Sequence, residues 1–302
     1  MYQIALWGLS EGYNEFTSLH GHEQARVVAV ADHERKCIRK VDGIPVISPA
    51  ELLDTSFDYL IICDADNQKY QKTADEAVHL GISRDIILPL RIFRIPFFNF
   101  DDYVRIRQSN VSILSDYCFA GYLYHKFGMQ FTSPTIRMFT SNDHYYRFLK
   151  NLDYYLEEPM TEVTDVVDQP HMGILSYPRG RVGDVEWAFN HDVTFETAAD
   201  RWNRGVQRFN RDNFIAIMVI RSDRMAHAFH ELPLKHKIGF YWKELHLDSV
   251  VCMPEWNDPK VRARLGYDFC SMVNRAADDD NGFRSINWMK ALLHHEGFKR
   301  VE

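Results

Sequence analysis

The sequence predicts an α/β protein of two domains, on three observations. Short apolar runs alternate with helical stretches through the first ninety residues, the rhythm of a parallel sheet with helices on its faces. That rhythm breaks at RIFRIPFFNFDDYVRIRQSN, residues 91–110, where Pro96 and mixed basic and aromatic residues intervene. The chain has 302 residues, 46% of them apolar and 14% aromatic, enough for two cores. The expected organisation is an N-terminal Rossmann-like parallel-sheet domain over residues 1–95 and a C-terminal mixed α/β domain over residues 96–302.

In order, QIALWG reads as a buried strand and EGYNEFTSLHG as a helix stopped at Gly21. ARVVAVAD is a second strand ending at Asp32 and GIPVIS a third. SPAELLD opens a short helix, with Ser48 as N-cap and Pro49 at the first helical position. FDYLIICD is a fourth strand, QKYQKTADEAVHLG a helix closed by Gly81, and RDIILPL a fifth strand. Phe97, Phe98 and Phe100 are expected to pack between the domains, beside a connecting helix FDDYVRIRQ.

The first strand-to-helix turn, Gly8-x-Ser10-x-Gly12, has the letters of a hydrolase nucleophile elbow. In that fold several strands precede the serine, whereas Ser10 follows the first. A dinucleotide-type turn fits the position better, because pyrophosphate binds at a helix N-terminus after the first strand. Gly8, Ser10, Gly12 and Asp32 are the candidate nucleotide-binding residues, Asp32 standing where a ribose-binding acid would. The glycine fingerprint is met only at Gly8, with Ser10 and Tyr13 in the other two places. That argues against an NAD-dependent oxidoreductase, and no particular cofactor is indicated. A packed turn that needs Gly8 and Gly12 for its own geometry is the competing reading.

In the second domain VSILS reads as a strand and CFAGYLYHKF as a helix ending at Gly128. Cys118 therefore lies at a helix start just after a strand, where the dipole and free N–H groups favour a thiolate. A buried small residue is the alternative for a free cysteine. HYYRFLKNLDYYLEEPM is amphipathic, with Tyr145, Phe148, Leu149, Leu152 and Leu156 on one face. GILSYPRGRVGDVEWAFNHD is β-like, turns at Pro178, Gly180 and Gly183, and delivers His191 and Asp192 near a strand end. TFETAADRWNRGVQRFNRDN is a helix that buries Trp202, Val206 and Phe209. Its Arg201, Arg204, Arg208 and Arg211 form either an anion-binding face or, in the favoured reading, a solvated face paired with Glu196 and Asp200. FIAIMVIRSD is a buried strand running to Asp223.

Composition narrows the function classes. The formal net charge of −7 disfavours nucleic acid and anionic membrane as generic partners. Charges interrupt every apolar run short of a membrane span, and no basic-then-apolar leader opens the chain, so a soluble cytoplasmic protein is expected. Five cysteines, Cys37, Cys63, Cys118, Cys252 and Cys270, are odd in number and widely spaced, without a CxxC pair. That excludes a disulfide framework and a cysteine zinc site. His227, His230, His236 and His246 fall in a segment expected to be a loop, which does not favour metal. Asp278 to Asp280 and Gly282 suggest part of a calcium loop, but Met289 stands where its distal glutamate belongs.

The stretches SDYCFAGYLYHKFGMQFTSPTIRMFTSNDHYYRFLKNLDYYL and NHDVTFETAADRWNRGVQRFNRDNFIAIMVIRSD resemble the bacterial family filed as domain of unknown function 1919. The resemblance covers roughly residues 111–250 and rests on the Cys-x-x-Gly helix, the Ser133-Pro134-Thr135 turn and the run Trp202, Arg208, Asn210, Asn213, in that order. Members are often labelled exopolysaccharide-biosynthesis proteins, which implies a setting in surface glycan metabolism and names no reaction. The order of cysteine at a helix start, His-Asp, arginine-rich helix and apolar strand is also similar to putative papain-like cysteine enzymes. That likeness implies Cys118 as nucleophile, His191 as base and Asp223, or else Asp192, as orienting acid. Asp116 departs from it, standing where an amide is usual, two residues before the cysteine.

The sequence thus points to thiol-dependent acyl transfer or hydrolysis on a small-molecule or glycan-precursor substrate. The competing class is a non-catalytic protein of the same setting that binds a nucleotide sugar or a partner.

Overall fold

The computed structural model describes residues 1–9, 11–20, 23–33, 38–64, 66–164, 177–258 and 286–294. Ser10, Gly21, Cys37, Cys270 and the acidic loop at Asp278–Asp280 lie outside the described residues. The protein is α/β, in two compact units: Met1–Arg105 with Lys126–Gly128, and Ile106–His125 with Met129–Glu302.

The first unit runs β1 (Tyr2–Trp7), α1 (Glu11–Ser18), β2 (Ala25–Ala31), β3 (Lys40–Val41), β4 (Ile44–Ile47), β5 (Tyr59–Ile62), α2 (Asn67–His79) and β6 (Ile87–Pro89), and α3 (Phe100–Ser109) leads out of it. Its sheet has the order β3-β4-β2-β1-β5-β6. The strands from β4 to β6 pair in parallel, and only the two-residue β3 is antiparallel. Ile4, Ala5 and Leu6 of β1 have no exposed surface, as expected of a central parallel strand covered on both faces. Ser48 does start a helical turn, a 3-10 stretch at Pro49–Asp54, with the Glu51 carboxylate accepting the Ser48 N–H at 2.7 Å. Phe98 and Phe100 lie in the first unit. They pack with Phe93 and Tyr103 in the first unit's own aromatic cluster, while Phe97 stays exposed at a φ of 59°.

The second unit runs β7 (Ser112–Ser115), α4 (Phe119–Lys126), α5 (Asn142–Lys150), α6 (Leu152–Glu157), β8 (Met160–Glu162), β9 (Arg179–Val182), β10 (Val185–Ala188), α7 (Phe195–Arg208), β11 (Phe214–Val219), α8 (Asp223–Glu231), β12 (Lys237–Tyr241), β13 (Val250–Cys252) and α9 (Trp288–Leu292). A four-stranded parallel sheet has the order β13-β12-β11-β7, and an antiparallel meander the order β10-β9-β8. The amphipathic stretch after His144 is two helices rather than one. Asn151, at φ −129° and ψ 46°, breaks it, yet Tyr145, Phe148, Leu149 and Leu156 all reach the core. Phe148, Trp187 and Trp202 meet there with ring centroids 5.2–6.0 Å apart. Each is essentially fully buried, and burial of a large apolar side chain contributes roughly 1.5–3 kcal/mol.

One helix start differs from the sequence expectation, and it bears on the site. FIAIMVIRSD does not stay extended to Asp223. β11 ends at Val219, and Ser222 caps α8 through the Met225 N–H at 3.2 Å. His227 and His230, expected in a loop, are therefore helical. Among the described residues no group of three or more histidine, cysteine or acidic side chains could hold a metal ion. None of the described helices is long and apolar enough to cross a membrane.

Candidate active site

Cys118 sits beyond the C-terminal end of β7, the place where open parallel sheets present their ligand-binding groups. Its carbonyl accepts the Tyr122 N–H at 3.2 Å, so it is the residue immediately before α4. The neighbours on both sides are anchored. Tyr117 stacks on Phe139, nearly parallel at 6.1 Å, and lies under the Arg221 guanidinium. Phe119 packs on Phe240 at 6.0 Å and on Trp288 at 5.3 Å. With both flanking rings buried, the half-buried Cys118 side chain is the one left facing outward.

The two polar residues before it face inward. The Ser115 hydroxyl accepts the Ala120 N–H at 3.0 Å and so closes the first turn of α4. The Asp116 carboxylate, fully buried, accepts the Val219 N–H at 3.1 Å and the Asn142 side-chain N–H at 3.3 Å. Asn142 in turn donates to the Val219 carbonyl at 2.8 Å and accepts the Arg221 N–H at 3.0 Å. Asp116 and Asn142 thus tie the turn after β7 to the end of β11. Burial pushes the Asp116 carboxyl up to about 8. Asp116 is a brace, and the expected conflict between its charge and a thiolate is removed by where it points and by its reluctance to ionise.

His191 reaches the thiol from the loop after β10. Its Nε2 lies 3.4 Å from the Cys118 Sγ. The loop is held by the Asp192 N–H donating to the Phe189 carbonyl at 3.2 Å and by Arg137 donating to the His191 carbonyl at 2.6 Å. Arg137 adopts the left-handed region, φ 61°, a conformation that costs energy for a non-glycine residue. The Asn190 Oδ1 lies 4.0 Å from Sγ, as an acceptor for the thiol.

Neither expected acid orients the imidazole. Asp223 heads α8, where its carboxylate accepts from Tyr241 at 2.7 Å and Lys243 at 2.5 Å. It was assigned to the pair by reading its segment as strand, and the cap at Ser222 turns it elsewhere. Asp192 is nearly buried and accepts from Arg201 Nη1 at 2.6 Å. Among the described residues no carboxylate bonds the His191 ring, and the contact the structure shows is between Cys118 and His191.

Electrostatics set its resting state. Burial raises the Cys118 thiol, against the opposing pull of Asn190, Arg201 and Arg137. Burial, then Arg137, lowers His191, with Asp192 acting the other way. Both shifts favour a neutral thiol beside a neutral imidazole. The helix start favours the thiolate, and burial acts against it.

The nucleotide candidates sit in the first unit, and the turn there is closed by its own chain. The Asp32 carboxylate accepts the Leu9 N–H at 2.8 Å. A Cβ on Gly12 would lie 1.9 Å from the Cys63 carbonyl oxygen, so Gly12 lets α1 approach β5. Gly8 has a φ of 118°, which favours glycine. Tyr13 is buried with its hydroxyl donating to Asp42 at 2.8 Å.

Comparison with known proteins follows the same division. Residues 90–290, about two thirds of the chain, match the model of a family described as a domain of unknown function, DUF1919. The chain belongs to the DUF1919 family. Residues 1–88 of this DUF1919 protein match a second model, described as C2185-like, N-terminal. An uncharacterized protein of Haemophilus influenzae is 27% identical over 142 residues, 46% of this chain and 65% of that relative. This chain therefore covers just under two thirds of that relative's length.

Arg201 departs from the favoured reading of the arginine face. Instead of joining a solvated face, it turns inward to Asp192 while Arg204 and Arg208 stay exposed and Arg211 pairs with Asp153. Gly205 shows how α7 is seated. A Cβ there would lie 2.4 Å from the Pro134 Cα, so the helix rests directly on the Ser133–Pro134 backbone. A glycine one turn from an arginine, opposite a Ser-Pro turn, was the available sign of that close approach.

Proposed function

We propose that this DUF1919 protein is a cysteine-dependent acyl-group enzyme, a hydrolase or transferase, with Cys118 as nucleophile and His191 as base. The observation that carries the reading is the 3.4 Å approach of His191 Nε2 to the half-buried Cys118 Sγ at the end of a parallel strand. Cysteine and histidine in reach of each other form the minimal unit for nucleophilic catalysis by a thiol.

From a neutral pair, His191 Nε2 takes the thiol proton as sulfur attacks the acyl carbon. The imidazolium then gives that proton to the leaving group, and a thioester remains on Cys118. Water or an acceptor hydroxyl, deprotonated by His191, attacks the thioester, and the proton returns to sulfur as the acyl group leaves. A glycan precursor as substrate rests on the family resemblance, and a soluble small molecule suits a chain with no membrane-length helix among its described residues.

The test is the alkylation rate of Cys118 by iodoacetamide against pH, read by peptide mass spectrometry in wild type and His191→Ala. The expected result is labelling of folded protein at pH 7.5 that slows about a hundredfold without the imidazole, the lower end of what a positioned base contributes. Labelling unchanged by His191→Ala, or absent until the protein unfolds, overturns the proposal.

A further inference from the structure

Arg201 carries a feature that the Cys–His chemistry does not use. Its guanidinium is half-engaged: Nη1 donates to Asp192 at 2.6 Å, while Nε and Nη2 are buried and find no hydrogen-bond partner among the described residues. Those two nitrogens form one edge of the guanidinium, the side-on fork that matches the two oxygens of a carboxylate or phosphate. The Arg201 side chain is only 16% exposed and Asp192 5%, so the fork is fixed in direction by the ion pair behind it. Buried donors left unmet are costly, which makes the empty edge a feature to be explained.

Asp192, which holds Arg201, follows His191 directly in the chain, and His191 Nε2 lies 3.4 Å from the Cys118 Sγ. The charges of Arg201 and Arg137 both act on Cys118 and on His191, and Arg137 is bonded to the histidine's own carbonyl. Asp192 offsets one of the two positive charges. Among the described residues Arg137 is bonded to the neutral His191 carbonyl, so its positive charge stays available beside the pair.

We propose that the Nε–Nη2 edge of Arg201, assisted by Arg137, binds an oxyanion of the substrate, so that the acyl compound attacked by Cys118 carries a carboxylate or phosphate close to its reacting carbon. This rests on the dyad reading and adds a substrate class to it. An anion docked there offsets the Arg137 and Arg201 charges, which add to burial in lowering His191, and so makes the imidazole a somewhat stronger base when substrate is present. A neutral acyl compound leaves the fork unmet and the imidazole weakly basic.

The test compares two alkylating reagents that differ by one charge. Iodoacetate and iodoacetamide are reacted with Cys118 in the full chain, and the ratio of their rate constants is set against the ratio for glutathione. The expected result is a ratio favouring iodoacetate by about tenfold or more over the glutathione value, the effect of one charge-assisted contact. In Arg201→Lys, which keeps the charge opposite Asp192 but loses the fork, that excess falls away; Arg137→Gln reduces it in part. Malonate and inorganic phosphate as competitors separate a carboxylate site from a phosphate site by which one suppresses the iodoacetate reaction at lower concentration. A ratio equal to that of glutathione, with no protection by either anion, overturns the anion site while the His191→Ala comparison with iodoacetamide still reports on the dyad. Should both reagents fail to label the folded protein, the dyad reading fails. Calorimetric titration with phosphate and malonate then judges the fork alone: binding lost in Arg201→Lys supports it, and no binding overturns it.

Discussion

The turn after β1 and the turn after β7 occupy equivalent places, each leading from a parallel strand into the first helix of its unit. They use their polar groups in opposite ways. After β1 the side chains close the turn on itself: Asp32 holds the Leu9 N–H, and the Cys63 carbonyl fills the space that Gly12 leaves open. After β7, Ser115 and Asp116 also face inward, but their doing so leaves Cys118 outward against His191. A strand-to-helix turn offers free N–H groups in any parallel sheet. Chemistry depends on whether the turn satisfies them from its own chain and still leaves a reactive atom uncovered.

The largest effect expected from disturbing this contrast concerns Asp116. A carboxyl raised to about 8 in the folded state and near its ordinary value when unfolded favours folding fully at pH below about 4. That contribution is lost as pH rises through 8, at up to ~1.4 kcal/mol per pH unit. Asp116→Asn keeps an acceptor for Val219 and has no proton to lose. Its stability relative to wild type is therefore expected to improve by several kcal/mol from pH 4 to pH 8 in urea unfolding. A constant difference across that range would mean that Asp116 ionises normally and braces the turn as a carboxylate.

Gly12→Ala acts on the other turn. A Cβ 1.9 Å from the Cys63 carbonyl oxygen forces α1 away from β5, at an expected cost of about 3 kcal/mol in urea unfolding. Nucleotide binding as the reason for that glycine predicts instead a stable protein with altered ligand affinity. The smallest effect is at Asp223. Exposed and engaged with Lys243 and Tyr241, it is expected to leave Cys118 alkylation unchanged when replaced by asparagine. A slower reaction in Asp223→Asn would restore it as the orienting acid.

What was legible in the sequence were the features fixed locally. Apolar runs separated by capped helices marked β1, β2, β4, β5 and β6 of the first parallel sheet and β7 and β11 of the second, because a buried strand needs that composition wherever it lies; β12 and β13, short and next to a histidine-rich stretch read as loop, were not marked. The placement of Cys118 followed from a strand running into a helix, and that of His191 from the end of a hairpin. The directions of charged side chains were not legible. Asp223 reads as a strand-end acid until Ser222 is seen to start a helix. Arg201 shares the helical spacing of its exposed neighbours and differs only in facing Asp192, nine residues earlier, across a loop whose path no local pattern encodes. Asp116 carries the same letter whether it faces a thiolate or a backbone N–H.

The neutral resting pair has a consequence for the lifetime of the protein. Peroxide and disulfide oxidants attack the thiolate. Burial that raises the Cys118 thiol leaves less of the vulnerable form. Under the proposed function, the same burial that makes this cysteine slow to ionise would guard it against oxidation while no substrate is bound.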